Sequence, residues 1–327
     1  MQLFFEHLIT RLWYRSKLFG QCLSPLSALF GILICLRYKA YRWGIFTSYR
    51  SVATIIVVGN ISVGGTGKTP LVIALIHFLL QHNRAVVVIS RGFGRVNRQL
   101  IVVNDACQAK DCGDEPLLIF QCTRVPVIVA RTRLAAVKYA EQHYPGALII
   151  SDDGLQHYAL ARDIEIAVLD GQRGCGNGHL LPGGPLREPL SRLKYVDYTV
   201  LNGGPYAYPG AYAMDLQAQQ VRQLSTHHVV AFEKLATMGQ WLALTAIGNP
   251  ERFFVTLQSL GLNFDKHCFP DHYLFQREDL AIFKDRLLLV TAKDAVKLHA
   301  FGFDNIYVLD VAALLPERFY QQLLEHL

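Results

Sequence analysis

At 327 residues and 36.8 kDa, with 51% hydrophobic content, the chain is long enough for about two domains and too apolar for a disordered, collagen-like or low-complexity class. Its formal net charge of +6 is confined to the first fifty residues, which hold seven Lys and Arg against one acid, while the other 277 carry 25 bases and 25 acids. A neutral body behind a basic collar argues against a general nucleic-acid binder, whose basic surface is more often built into the body.

The collar comes first in the chain. Residues 1–17 place Leu3, Phe4, Leu8, Leu12 and Trp13 near one helical face. From Leu18 to Leu36 no charge occurs, and Lys17 and Arg37 flank the run. The length is just enough to span a bilayer. However, Gln21, Ser24 and Ser27 lower its hydrophobicity, and Pro25 predicts a break into two helices. The late start and the missing small-residue cleavage site argue against a secretory signal. Beyond Arg37, Tyr and Trp alternate with Arg and Lys, as an interfacial helix requires. Attachment to a membrane surface is the favoured reading of residues 1–50. The competing readings are helices packed on the body with solvated cations, and a true span.

After residue 50, short β-branched runs alternate with helical stretches: 54–58, 85–89, 126–130, 147–150, 164–169 and 198–201. Runs apolar on both faces predict buried parallel strands, and the segments between them suit crossover helices. The expected fold is a doubly wound, mainly parallel α/β sheet over 51–225. From 226 to 327 a second, smaller α/β domain follows, with strands near 242–246, 287–290 and 306–309. Seven cysteines are scattered without a Cys-x-x-Cys pair, which supports neither a zinc ribbon nor a thioredoxin-type site.

Ligands of such sheets bind at the carboxyl ends of the strands, and there the sequence is richest. The first strand enters Gly59-Asn-Ile-Ser-Val-Gly-Gly-Thr-Gly-Lys-Thr69, followed by an apolar helical stretch. In a loop of this kind Ser62, Val63, Gly64, Gly65, Thr66 and Gly67 present backbone N–H groups to phosphate oxygens. Lys68 reaches the β- and γ-phosphates, and the Thr69 hydroxyl ligates Mg²⁺. Ser62 stands where the usual P-loop spacing has glycine. The fourth run delivers Asp152 and Asp153, the carboxylates such sites use to hold Mg²⁺. Asp114 and Glu115 form a second acidic pair, where the first turn of a helix is the plain alternative. Ser90-Arg91-Gly-Phe-Gly-Arg95 fits an anionic group or a solvated loop, and Arg187-Glu188 fits substrate binding or an ion pair fixing a Pro/Gly loop. Thr291-Ala-Lys-Asp294 lacks the spacing of a guanine-reading motif, so ATP is the expected nucleotide.

Taken in order, Val-Gly-Gly-Thr-Gly-Lys-Thr-Pro, Ser-Arg-Gly-Phe-Gly-Arg, Gly-Asp-Glu-Pro, Asp-Asp-Gly-Leu-Gln-His, Leu-Pro-Gly-Gly-Pro-Leu-Arg-Glu-Pro and Phe-Pro-Asp-His-Tyr resemble the tetraacyldisaccharide 4′-kinases over nearly the whole chain. In that family a non-glycine start of the loop is normal, and Ala292 departs from the usual Thr-Glu-Lys-Asp. The resemblance implies transfer of the ATP γ-phosphate to the 4′-hydroxyl of a tetraacylated glucosamine disaccharide 1-phosphate, giving lipid IVA. It implies Asp114 as general base assisted by His272, with Lys68 neutralising developing charge. Thr69, Glu115, Asp152 and Asp153 would surround Mg²⁺, and Arg91 and Arg187 would meet the anionic disaccharide. With Asp114 assigned to the first domain and His272 to the second, nucleotide binding is expected to close the domains together. A monomer at the cytoplasmic face of the bacterial inner membrane is expected. The rival readings are a membrane-recruited P-loop ATPase switch and a soluble small-molecule kinase.

Overall fold

The computed structural model describes residues 2–327; the side chains of residues 2–8, and with them the expected face at Leu3, Phe4 and Leu8, lie outside the described residues. The chain divides into two compact units, neither of them a continuous stretch. One comprises Met1–Ser90, Thr132–Asp215 and Leu315–Leu327, the other Arg91–Arg131 and Leu216–Leu314.

In the first unit five strands run parallel in the order Tyr198–Asn202, Ile164–Asp170, Ile55–Gly59, Leu148–Asp152 and Val86–Ser90. The start of Tyr212–Gln223 adds a further parallel neighbour beside Tyr198–Asn202. All residues of Ile55–Gly59 and Ile164–Asp170 are buried, as expected for strands covered on both faces. The helix Lys68–Gln81 buries Leu71, Val72, Leu75, Ile76 and Leu79, a helical stripe that covers the sheet directly after the glycine-rich loop.

The collar belongs to this unit. It forms helices Gln2–Arg15, Lys17–Cys22 and Ser24–Arg42, with the expected break at Leu23, two residues before Pro25. One side packs on the body. Trp13 Nε1 donates to Pro182 O at 2.9 Å and Ser27 Oγ to Leu180 O at 2.8 Å, while Tyr38 meets Tyr158 edge-on at 5.3 Å. The opposite side is bare: Leu26, Leu29, Ile32, Leu33 and Leu36 are 54–58% exposed. Among the described residues no helix is long and apolar enough to cross a membrane.

In the second unit four strands run parallel in the order Phe264–Cys268, Trp241–Thr245, Leu287–Thr291 and Ile306–Leu314. Side-chain alternation builds a core on each face. Leu242, Leu244, Leu288, Val290, Ile306 and Val308 belong to one, and Trp241, Ala243, Leu289 and Leu309 to the other.

Two expectations change here. The run at 126–130 forms the strand Val127–Val129, which pairs antiparallel with Ile101–Val102 in the second unit. Moreover, residues 91–131 join the C-terminal unit, and the later boundary falls inside the strand Tyr212–Gln223. The helix Asp114–Thr123 packs with the helix Ala292–Leu298, a pairing between residues distant in sequence that no local pattern announces.

Candidate active site

The first cluster grows from the sheet of the first unit. Parallel register sets Val58 opposite Asp152, so the glycine-rich loop and the acidic pair start from the same sheet edge. Gly67 has φ 94 and begins the helix Lys68–Gln81. A Cβ there would lie 2.0 Å from Asn202 Nδ2, which donates to Thr66 O at 2.9 Å, so glycine is required on both conformational and steric grounds. Asn60, fully buried, donates to Gly64 O and Thr66 Oγ1 at 3.3 and 3.4 Å and holds the loop from inside. Ser62, Thr66 and Thr69 are buried, while Val63, Gly64, Gly65 and Lys68 are half-buried.

The segment after Leu181 runs along this loop. Val63 N donates to Pro185 O at 2.8 Å and Arg187 N to Ile61 O at 2.7 Å. Arg187 and Glu188 then part company. The Arg187 guanidinium reaches Asp153 Oδ2 at 3.4 Å and Asn60 Oδ1 at 3.5 Å. Glu188 turns inward and accepts from Gln156 Nε2 at 3.1 Å and from the Tyr158 hydroxyl; burial pushes its carboxyl up. The mutual ion pair considered from the sequence is replaced by these separate partners.

Asp153 is in the left-handed region at φ 48, which brings its carboxylate to Lys68 Nζ at 3.2 Å. Burial alone would raise its pKa, but the charges of Lys68 and Arg187 outweigh burial and hold it at about 2. Arg133 NH2 donates to Asp152 O at 2.8 Å and fixes the strand end. Asp152 itself is almost wholly buried. This is a cation-rich cradle with backbone N–H groups, suited to phosphate oxygens.

The second cluster lies wholly in the second unit. Asp114 opens the helix Asp114–Thr123 and is 5% exposed. Its Oδ2 stands 3.0 Å from His272 Nδ1. His272 has φ 59, a left-handed conformation uncommon for a non-glycine residue, and its ring lies 4.9 Å from that of Phe93. Lys293 Nζ is 2.9 Å from Glu115 Oε1, 3.9 Å from Asp114 Oδ2 and 3.7 Å from Asp271 Oδ1. Burial would raise the Asp114 carboxyl, yet the His272 hydrogen bond and the Lys293 charge bring it to about 2. Burial would lower His272; the bond to Asp114 prevails and raises it. Burial would also lower Lys293, and the three carboxylates overcome that and raise it further.

Asp114 and His272 are thus neighbours within one unit, and no closure is needed to join them. Glu115 lies in this unit, while Thr69, Asp152 and Asp153 lie in the other; Arg91, exposed, and Arg187 are divided in the same way. Sequence reasoning passed over Asn60, Arg133, Asn202, Asp271 and Lys293. For Lys293 a signal existed in the Thr-Ala-Lys-Asp string at a strand end. Asn202, also at a strand end, carries none without the glycine it touches.

A glycine-rich phosphate cradle and an Asp–His pair describe a phosphotransferase without fixing its kind. A family model described as tetraacyldisaccharide-1-P 4′-kinase matches residues 19–327. The chain belongs to this family. Among its relatives, the tetraacyldisaccharide 4′-kinase of Methylobacillus flagellatus is 44% identical over 99% of this chain and 96% of its own length. That of Psychromonas ingrahamii is 44% identical over 96% of this chain and 98% of its own. In structure, this member of the family is similar to "apo" form LpxK from Aquifex aeolicus in complex with ATP, with a TM-score of 0.78 and 27% identity over 94% of this chain and 99% of that one.

Proposed function

We propose that this 4′-kinase transfers the γ-phosphate of ATP to the 4′-hydroxyl of a tetraacylated glucosamine disaccharide 1-phosphate, yielding lipid IVA for lipid A biosynthesis, and that its two units divide the chemistry. The loop from Ser62 to Thr69 binds the triphosphate, with Lys68 at the β- and γ-phosphates. Arg91 and Arg187 meet anionic groups of the acceptor. Asp114 accepts the proton of the 4′-hydroxyl, and His272 orients it. The observation that carries the assignment of the base is the 3.0 Å contact between Asp114 and His272.

A carboxylate held at about 2 is a weak base. It suffices because phosphoryl transfer goes through a loose transition state, where alignment and charge stabilisation dominate and the hydroxyl proton becomes acidic as the P–O bond forms.

Mg²⁺ fits the donor set of the first unit: a buried threonine hydroxyl and two carboxylates are hard oxygen ligands, and this ion is usually held by one or two carboxylates plus substrate phosphates. Thr69, Asp152 and Asp153 would hold it, and it would supply neutralisation of charge on the β- and γ-oxygens. Glu115, engaged by Lys293, is assigned to the acceptor-side cluster instead.

The collar seats the enzyme peripherally on the anionic cytoplasmic leaflet of the inner membrane. Its bare leucine stripe enters the headgroup boundary, and its cations meet the lipid phosphates. The working unit is a monomer. The test is incubation with γ-labelled ATP, Mg²⁺ and the tetraacyldisaccharide 1-phosphate in anionic vesicles. Label is expected in the glycolipid. Release of free phosphate with no labelled glycolipid would contradict the proposal and favour an ATPase switch.

A further inference from the structure

Three carboxylates in the second unit share a single ammonium, and one of them, Asp114, also bonds His272. Asp114 and Glu115 come from the start of one helix and Asp271 from the loop before His272, whereas Lys293 stands at the start of the helix Ala292–Leu298. Three like charges at this spacing repel one another, and an ammonium with three donors is the side chain that can join them. The lysine is 17% exposed, and its distances of 2.9, 3.9 and 3.7 Å to Glu115, Asp114 and Asp271 leave it in reach of all three.

The root of that lysine is fixed. The adjacent Asp294, fully buried, accepts from Thr245 Oγ1 and Thr291 Oγ1, both at 2.8 Å, and from Ala246 N at 3.2 Å, and it pairs with Lys297 at 2.9 Å. The helix that carries Lys293 is therefore pinned to the ends of two strands. His272, by contrast, holds a left-handed backbone conformation that persists only where surrounding contacts impose it. Asp271, one residue earlier, touches both Lys293 and His272 Nε2, the latter at 3.8 Å. Lys293 thus links the rigid helix to the strained loop and to the acids facing it.

We infer that Lys293 is the positioning residue of the acceptor side, a cation that reaches Asp114, Glu115 and Asp271 and holds them so that Asp114 and His272 face the sugar hydroxyl together. It acts through Asp114 rather than on the substrate. The inference rests on the reading of Asp114 as base.

The experiment measures kcat, KM for ATP, KM for the lipid acceptor and the melting temperature for the full chain and for Lys293→Met, Lys293→Arg, Asp114→Asn and the double variant Asp114→Asn/Lys293→Met. Misplacement of a reacting group by about 1 Å costs on the order of a hundredfold, so Lys293→Met is expected to lose about that factor in kcat, with KM for ATP within about threefold. Lys293→Arg, which keeps the charge, should recover about tenfold of the loss. The double variant should be no slower than Asp114→Asn alone, because residues acting as a unit are non-additive. Should Lys293→Met fail to fold, Asp271→Asn keeps the volume and removes one of the three contacts, and a kcat loss of about three- to tenfold is expected of it.

A Lys293→Met enzyme within about threefold of the parent kcat would overturn the inference, as would independent, multiplicative losses in the double variant. So would a parental kcat for Asp271→Asn if that variant stands in. If Asp114→Asn itself retains activity, the reading of the base fails first. If Asp114→Asn is dead while Lys293→Met is not, only the role of Lys293 falls.

Discussion

The two units solve opposite electrostatic problems with the same ingredients. In the first, Lys68 and Arg187 flank the carboxylate of Asp153, Arg133 secures the strand end behind it, and loop glycines expose backbone N–H groups. In the second, three carboxylates surround one lysine and one histidine. Both acids are held at about 2, but by different means: Asp153 by two cations that also suit phosphate, Asp114 by a histidine bond and one lysine. On the proposed reading, a surplus of positive charge suits the donor's phosphates and a surplus of acid suits acceptance of a proton. The contrast teaches that a shifted pKa alone does not reveal a role; the partners that shift it do.

Substitutions can break this contrast. The largest effect is expected from Asp114→Ala, which should lower kcat by about a thousandfold, the middle of the range for a proton-transfer group. Steady-state turnover with the lipid acceptor checks it, and a loss of only a few-fold would remove Asp114 as base. His272→Ala is expected to cost about a hundredfold in kcat, since the carboxylate remains but loses its orienting partner; an unchanged kcat would remove His272 from the catalytic group.

The collar is a sharper case. Because Trp13, Ser27 and Tyr38 bind the body, deleting residues 1–50 would damage the first unit along with any membrane contact. Leu29→Glu with Leu33→Glu spares those contacts and alters only the bare stripe. Each leucine withdrawn from an apolar phase costs about 1.5–3 kcal/mol, so KM for vesicle-presented lipid should rise at least about tenfold, while KM for ATP stays level. Equal vesicle KM values for parent and variant would leave the collar as packing alone.

The smallest effect is in stability against pH. Asp114 is depressed from 3.8 to about 2, so its contribution is present above about pH 4 and lost as pH falls toward 2. His272 is raised from 6.5, so its contribution is full below that value and lost as pH rises through the folded pKa. The pair is strongest between about pH 4 and 6.5. Urea unfolding should show parent and His272→Ala differing by about 1–2 kcal/mol near pH 5, a gap that narrows on either side. A gap constant with pH would mean that the bond is not ionic.

Much of this arrangement was legible in the sequence. Buried β-branched runs such as 54–58 and 164–169 read as parallel strands, since burial on both faces writes itself into composition. The glycine-rich loop, the acids at Asp152 and Asp153, and the helix break before Pro25 are local signals. The division into units was not local. Residues 91–131 join the C-terminal part because the helix beginning at Asp114 packs against the one carrying Lys293, across some 180 residues of chain. The contacts of Lys293 and Asp271 escaped for the same reason, as they join three separate segments, although the Thr-Ala-Lys-Asp string marked Lys293 as lying at a strand end. The collar shows a further limit: one helix serves both packing and exposure, and an apolar stripe does not say which side is covered.

The central claim is that nucleotide binding and acceptor activation reside in different residue sets. It is tested most directly by titrating Mg-ATP into Asp114→Ala and Lys68→Ala by calorimetry. Loss of a charged hydrogen bond costs about 1.5–3 kcal/mol, so Lys68→Ala should weaken binding about tenfold or more, while Asp114→Ala stays within about threefold of the parent. Equal weakening in both variants would contradict the account.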